Sequence, residues 1–115
     1  MRTGAQAEQT AAQFLQRQGL RLLQTNYHCR FGEIDLILQD GATRVFVEVR
    51  LRSHSGFGGA AASIDARKQH KLILTAQHYL SRHSPVPPCR FDAVLLTDAA
   101  DTNGVEWIKG AFELG

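Results

Sequence analysis

Residues 32–52 read GEIDLILQDGATRVFVEVRLR, two runs of alternating apolar residues joined through Asp40-Gly41, and no other stretch restricts the fold as strongly. Asp-Gly between such runs is among the strongest short-range hairpin signals, because both residues of a two-residue turn of this kind take positive φ. The pattern predicts antiparallel strands over 32–39 and 43–51. With Asp40 and Gly41 as the turn, Gln39 pairs with Ala42, Asp35 faces Phe46 and Glu33 faces Glu48. Side chains alternate along a strand. One face then carries Ile34, Leu36, Leu38, Val45, Val47 and Val49, a ready core, and the other carries Glu33, Asp35, Glu48 and Arg50. Opposed Cβ atoms stand ~4.5–5.5 Å apart and diagonal ones ~7–8 Å, so Asp35 and Glu48 can reach toward one point. Like charges so placed repel unless something positive sits among them. Oxygen-only ligands suit a hard cation such as Mg²⁺ or Mn²⁺. The competing reading is a solvated face whose ion pairs contribute little.

The rest of the chain adds a third source of carboxylate. Residues 3–18, TGAQAEQTAAQFLQRQ, predict a helix stopped by Gly19. Ala11, Ala12 and Leu15 mark its inner stripe, and Glu8, three, four and seven residues before them, falls on the same stripe. A strand over 20–28 precedes the hairpin. Residues 53–63, SHSGFGGAAAS, predict a small-residue loop, without the Gly-Lys-Ser/Thr that a nucleotide phosphate loop requires. IDARKQHKLILTAQHYLSRH predicts the longest helix, with Ile64, Leu72, Ile73, Ala76, Tyr79 and Leu80 inward. SPVPP ends it. CRFDAVLLT and VEWIKGAF predict the last two strands, the second at an edge. The order is α-β-β-β-α-β-β, an α/β fold with a mixed central β-sheet flanked by helices. At 115 residues it is expected to be a single domain over 1–115 with one core.

No apolar run approaches the ~20 residues that cross a bilayer, and the N-terminus lacks a signal-peptide core, so a cytoplasmic address without membrane attachment is expected. Cys29 and Cys89 lack CxxC spacing and are read as reduced thiols at strand starts rather than zinc ligands. Five histidines show no metal-ligand pattern, with His28 and His54 expected in solvent, and no Ser sits in a nucleophile elbow. A net charge of +2 does not by itself indicate nucleic acid; placement matters more. Arg67, His70, Lys71 and His78 recur at helical spacing on the second helix, with Lys68 beside them. Arg44, Arg50 and Arg52 would extend that basic strip from the sheet. A basic first turn at a helix N-terminus can grip a phosphate backbone, and an ordinary solvated face is the alternative. Phe57 would either plug the core or stack on a base.

Several blocks, in order, resemble one family. Gly4, Ala7 and Glu8 (GxxAE), NYHCRFGEIDLI, VFVEVRLR, FGG, DARKQHKLI and RFDAV are similar to the YraN-like family of small bacterial proteins. That family is placed by its motifs in the PD-(D/E)XK nuclease superfamily, near archaeal Holliday-junction resolvases. The resemblance runs from Gly4 to about Trp107. It implies a restriction-endonuclease-like core and a metal-dependent endonuclease acting on DNA, branched DNA included. Residue by residue, it implies that Glu8, Asp35 and Glu48 hold one or two Mg²⁺ or Mn²⁺ ions, which polarise the phosphate and generate hydroxide. Glu33 would support them from outside. Arg50 stands where the superfamily has lysine. A guanidinium does not give up its proton and so cannot serve as a base, but it can stabilise the phosphate electrostatically beside Asp35 and Glu48. Lys68 or Lys71 could supply the missing amine. Arg52, Arg67, Lys68 and Lys71 are the expected nucleic-acid contacts, and no small-molecule cofactor is implied. The competing classes are a nucleic-acid-binding module that does not cleave and a protein-interaction subunit. A four-way junction, with two equivalent strands, would suit a homodimer.

Overall fold

The computed structural model describes residues 4–51 and 64–113. In chain order it comprises α1 (Ala5–Arg17), β1 (Arg21–Cys29), β2 (Gly32–Asp40), β3 (Thr43–Leu51), α2 (Ala66–Leu80), β4 (Cys89–Leu96) and β5 (Val105–Phe112), the order expected from the sequence. The expected loop over 53–63, with His54 and Phe57, lies outside the described residues, as does Arg52. Among the described residues no helix is long and apolar enough to cross a membrane.

The five strands form one sheet in the order β1-β2-β3-β4-β5. Only β3 and β4 run parallel; the other neighbouring pairs are antiparallel. A parallel pair needs a long crossover, and α2 lies within it. β5 is an edge strand, as its sequence suggested.

Helices cover both faces. Ala7, Ala11 and Leu15 of α1 pack on Leu36, Val45 and Val47. Leu72, Ala76 and Tyr79 of α2 pack on Ile37, Phe46 and Phe91 on the other face. The expectation of one apolar and one acidic face is therefore corrected: Ile37 and Phe46, which share alternation with the acids, are buried beneath α2. Gly19, at φ 99, ends α1 as expected. Its N–H donates to the Gln16 carbonyl and that of Leu20 to the Leu15 carbonyl, a Schellman closure with Leu15 and Leu20 both buried.

The hairpin forms with its turn one residue later than expected. Asp40 pairs with Thr43, Ile37 with Phe46 and Leu36 with Val47, leaving Gly41 and Ala42 as the turn. Gly41 has φ 58 and Ala42 is not among the residues at positive φ. Glycine at the first turn position is what a II′ turn requires, so Asp40 stays in the strand. There its Oδ2 accepts from Arg90 Nη2 at 2.8 Å. Moving the register by two residues preserves which side chains share a face.

Cys29 and Cys89 are free, Cys89 at the start of β4 but Cys29 at the end of β1, not at a strand start. Sequence reasoning assigned nothing to Asp92, which is 1% exposed. Its carboxylate accepts from Trp107 Nε1 at 2.9 Å, the Gly110 backbone N–H at 3.0 Å and Arg90 Nε at 3.1 Å. Asp92 thereby fills the irregularity where β5 bulges away from β4. Removing the acid strands buried donors, so Asp92→Ala is expected to destabilise the fold by roughly 3–5 kcal/mol in urea unfolding, and Asp92→Asn by less. An unchanged midpoint for the alanine variant would show that the bulge does not depend on this carboxylate.

Candidate functional site

The site lies where β2 parts from β3. Their paired register ends at Leu36 and Val47. Beyond it the Val49 backbone N–H donates to Asp35 Oδ2 at 2.8 Å, a side chain standing where an unbroken ladder would offer a carbonyl. The alternation of β2 slips at the same residue. Ile34 packs in the α2 cluster, whereas Leu36, two residues on, packs in the α1 cluster. Across on β1, between the pairs Thr25 with Leu36 and Tyr27 with Ile34, Asn26 faces Asp35 with φ 53. That left-handed residue re-aims the strand locally. The parted strands leave a pocket of about 470 Å³ reached from both faces of the sheet. Glu8 of α1, Asp35, Glu48 and Arg50 of the strands, and Lys68 of α2 all line it. The three expected acids thus share one pocket. Among the described residues, however, no group of three His, Cys, Asp or Glu side chains stands preassembled as an ion's ligand set.

Each wall is fixed by a local feature. Glu8 is 5% exposed, as its place on the inner stripe of α1 implied. Asp65 caps α2, its side chain accepting from the Lys68 backbone N–H at 2.9 Å, which sets the first turn and the root of Lys68. Gly32, at φ 154, brings β2 close under α2: a Cβ there would stand 3.1 Å from Thr75 Oγ1.

Charge is unevenly compensated. Glu48 is 7% exposed; its Oε2 lies 2.6 Å from Lys68 Nζ and 3.3 Å from Arg50 Nη2. Among the described residues no such cation pairs with Asp35. Burial, then the Glu48 charge, push its carboxyl up from 3.8 to about 8, aided by its hydrogen bond to Glu48 and by Glu8 and opposed by the Val49 N–H. Burial beside Glu48 thus favours the protonated form of Asp35. Arg50 Nε is buried without a hydrogen-bond partner among the described residues, so the guanidinium has bonding capacity left at the pocket.

The other expected residues divide. Glu33 is exposed on the pocket wall, outside the Asp35 and Glu48 pair. Arg67 and Lys71 line the same pocket and are exposed. Lys68, expected as a phosphate contact or as the missing amine, is paired with Glu48. Two members of the expected basic strip are elsewhere. Arg44 donates to Tyr79 Oη at 2.8 Å and to Gln39 Oε1 at 2.6 Å, at the far end of β3. His78 is hydrogen-bonded to the Tyr27 hydroxyl, a packing role. His28 is exposed, as expected.

Because the folded chain binds the Asp35 proton more tightly than the unfolded chain, its contribution to stability is fullest below about pH 4 and is lost as pH rises toward about 8. Asp35→Asn keeps an acceptor for Val49 and removes the titration. In chelator, its unfolding free energy is expected to match the parent near pH 4 and to exceed it by roughly a few kcal/mol near pH 8. Parallel pH profiles for the two proteins in urea would disprove the strained carboxyl.

Comparison with known proteins agrees with the blocks read from the sequence as far as the family. The model of the uncharacterised protein family UPF0102 matches residues 7–96. A UPF0102 protein of Methylobacillus flagellatus is 60% identical over 109 residues, 95% of this chain and 95% of its own length. One from Nitrosomonas europaea is 60% identical over 110 residues, 96% of this chain and 92% of its own. One from Methylococcus capsulatus is 49% identical over 111 residues, 96% and 90%. The chain belongs to the UPF0102 family, the YraN-like group that its sequence blocks resemble.

Proposed function

We propose that this member of the UPF0102 family is a nuclease-like hydrolase that cleaves phosphodiester bonds in DNA with Mg²⁺ or Mn²⁺. The observation that carries the reading is the pairing of Lys68 Nζ with Glu48 at 2.6 Å, in the pocket that Asp35 and Glu8 also line. A PD-(D/E)XK-type site needs two strand acids and an amine, and Arg50 cannot be that amine because it does not deprotonate. Lys68 supplies it from another element.

The donor set fits a hard cation, since Asp35, Glu48 and Glu8 offer only oxygen. Positive charge is also what the Asp35 carboxyl lacks. When bound, the ion would polarise the phosphate and lower the pKa of water. The residues themselves do the rest. Glu48, with Asp35 and Glu8, would hold the ion. Lys68, 39% exposed on its side chain, holds an attacking water or a phosphate oxygen. Arg50, with an unused Nε, donates to the phosphate as charge builds there. Arg67 and Lys71 hold the flanking backbone.

A second reading has its own support. Glu48 is already neutralised by Lys68 and Arg50, which suits a scaffold that binds nucleic acid without cutting it. Incubation with linear, flapped and four-way DNA in Mg²⁺ and in Mn²⁺ separates the two. Cleavage is expected, abolished in Glu48→Ala and lowered about 100-fold or more in Lys68→Ala. Binding without cleavage selects the second reading, and cleavage that survives Glu48→Ala marks a contaminant.

A further inference from the structure

Two further pockets adjoin the acidic one, sharing different residues with it, and their chemistry differs from it. Between α1 and β1 lies a groove of about 430 Å³ that shares Glu8 with the acidic pocket. Apart from Glu8 its polar side chains are uncharged: Gln9, Gln13, Gln16, Thr25 and Asn26. A phosphate grip would call for cations there. Carboxamides instead present one acceptor and two donors each, the pattern that pairs with base edges. Beyond Gly32 and Glu33, at the β1–β2 turn, a second pocket of about 500 Å³ opens. In it the Arg30 guanidinium lies 4.7 Å from the centre of the Phe31 ring, which the His78 ring, outside the pocket lining, meets edge-on at 6.2 Å. Aromatic rings and guanidinium planes of this kind stack nucleobases.

We propose that the strand held at the acidic pocket is unpaired there, its bases taken by the amide groove beside Glu8 and by the Arg30–Phe31 pair, so that the substrate is single-stranded or flapped nucleic acid rather than intact duplex. The proposal rests on the hydrolase reading of the central pocket and adds the substrate's form. Four of the basic side chains lining these pockets, Arg50, Lys68, Arg67 and Lys71, belong to the central one, and Arg30 lines the pocket at the β1–β2 turn. A duplex keeps its base faces stacked inside and offers mainly phosphates to a shallow trough. A single strand exposes base faces and edges beside each phosphate, which suits a charged pocket that shares Glu8 with a carboxamide groove and Gly32 and Glu33 with an aromatic one.

The test is fluorescence anisotropy at low salt in chelator, with a labelled thymidine homopolymer and a duplex of equal length. The single strand is expected to bind about tenfold more tightly. Gln9→Ala with Gln13→Ala, both on the exposed side of α1, and separately Phe31→Leu, should each weaken single-strand binding about fivefold and leave duplex binding unchanged. Circular dichroism checks the fold, and Arg30→Gln replaces the Phe31 variant if that one unfolds. Equal affinity for the two forms, or variants that weaken both alike, overturns this proposal and leaves the hydrolase reading standing. If the parent protein binds neither form and cleaves none, both fall.

Discussion

The hydrogen bond from the Val49 N–H to Asp35 holds the rest of the site in place. A backbone donor left at the end of a ladder must find an acceptor. Here it finds a carboxyl, and the two strands can part without an unsatisfied group. The gap lets an acid from the helix on one face and a lysine from the helix on the other line the same pocket. Had β2 and β3 stayed paired to their ends, Glu8 and Lys68 would have been separated by the sheet.

The parted strands bring charges together at a cost that the chain meets unevenly. Glu48 is matched by two cations; Asp35 is matched by a proton. Such divided protonation between neighbouring carboxyls is common where a site has chemistry to perform, although structural ion pairs also produce it. In this chain the amine and the guanidinium come from different elements, so the relation between them depends on how closely α2 packs on β2. That closeness is set at Gly32, where the backbone approaches Thr75.

Much of this was legible in the sequence because it depends on period alone. The inner stripe of α1 placed Glu8 correctly, and the alternating runs placed Asp35 and Glu48 on facing strands. The turn residue was misjudged because Asp-Gly and Gly-Ala are both available, and Gly41 at the first position decides in favour of the latter. The slip at Asp35 was not legible, since it depends on a left-handed Asn26 on another strand. Lys68 was read both as a phosphate contact and as a source of the missing amine; its pairing with Glu48 was not legible, because helical spacing shows which face a side chain takes, not how far it reaches across a docked layer. Arg44 and His78 fitted the same spacing arguments and proved to be packed against Tyr79 and Tyr27. Asp92 was not legible as a buried anchor, because apart from the neighbouring Arg90 its partners come from a strand more than a dozen residues away.

The parallel pairing of β3 with β4 has a consequence for how the molecule assembles. β1 to β3 close through tight turns, whereas Arg44 must wait for Cys89. Loop closure grows costlier with the length of chain enclosed, so the three-stranded meander is the part able to nucleate early, and β4 docks behind it. The carboxylates of β2 and β3 would then meet before the helix bearing Lys68 arrives to shield them. Pulse-labelled hydrogen exchange that protects β4 ahead of β2 would reverse that order.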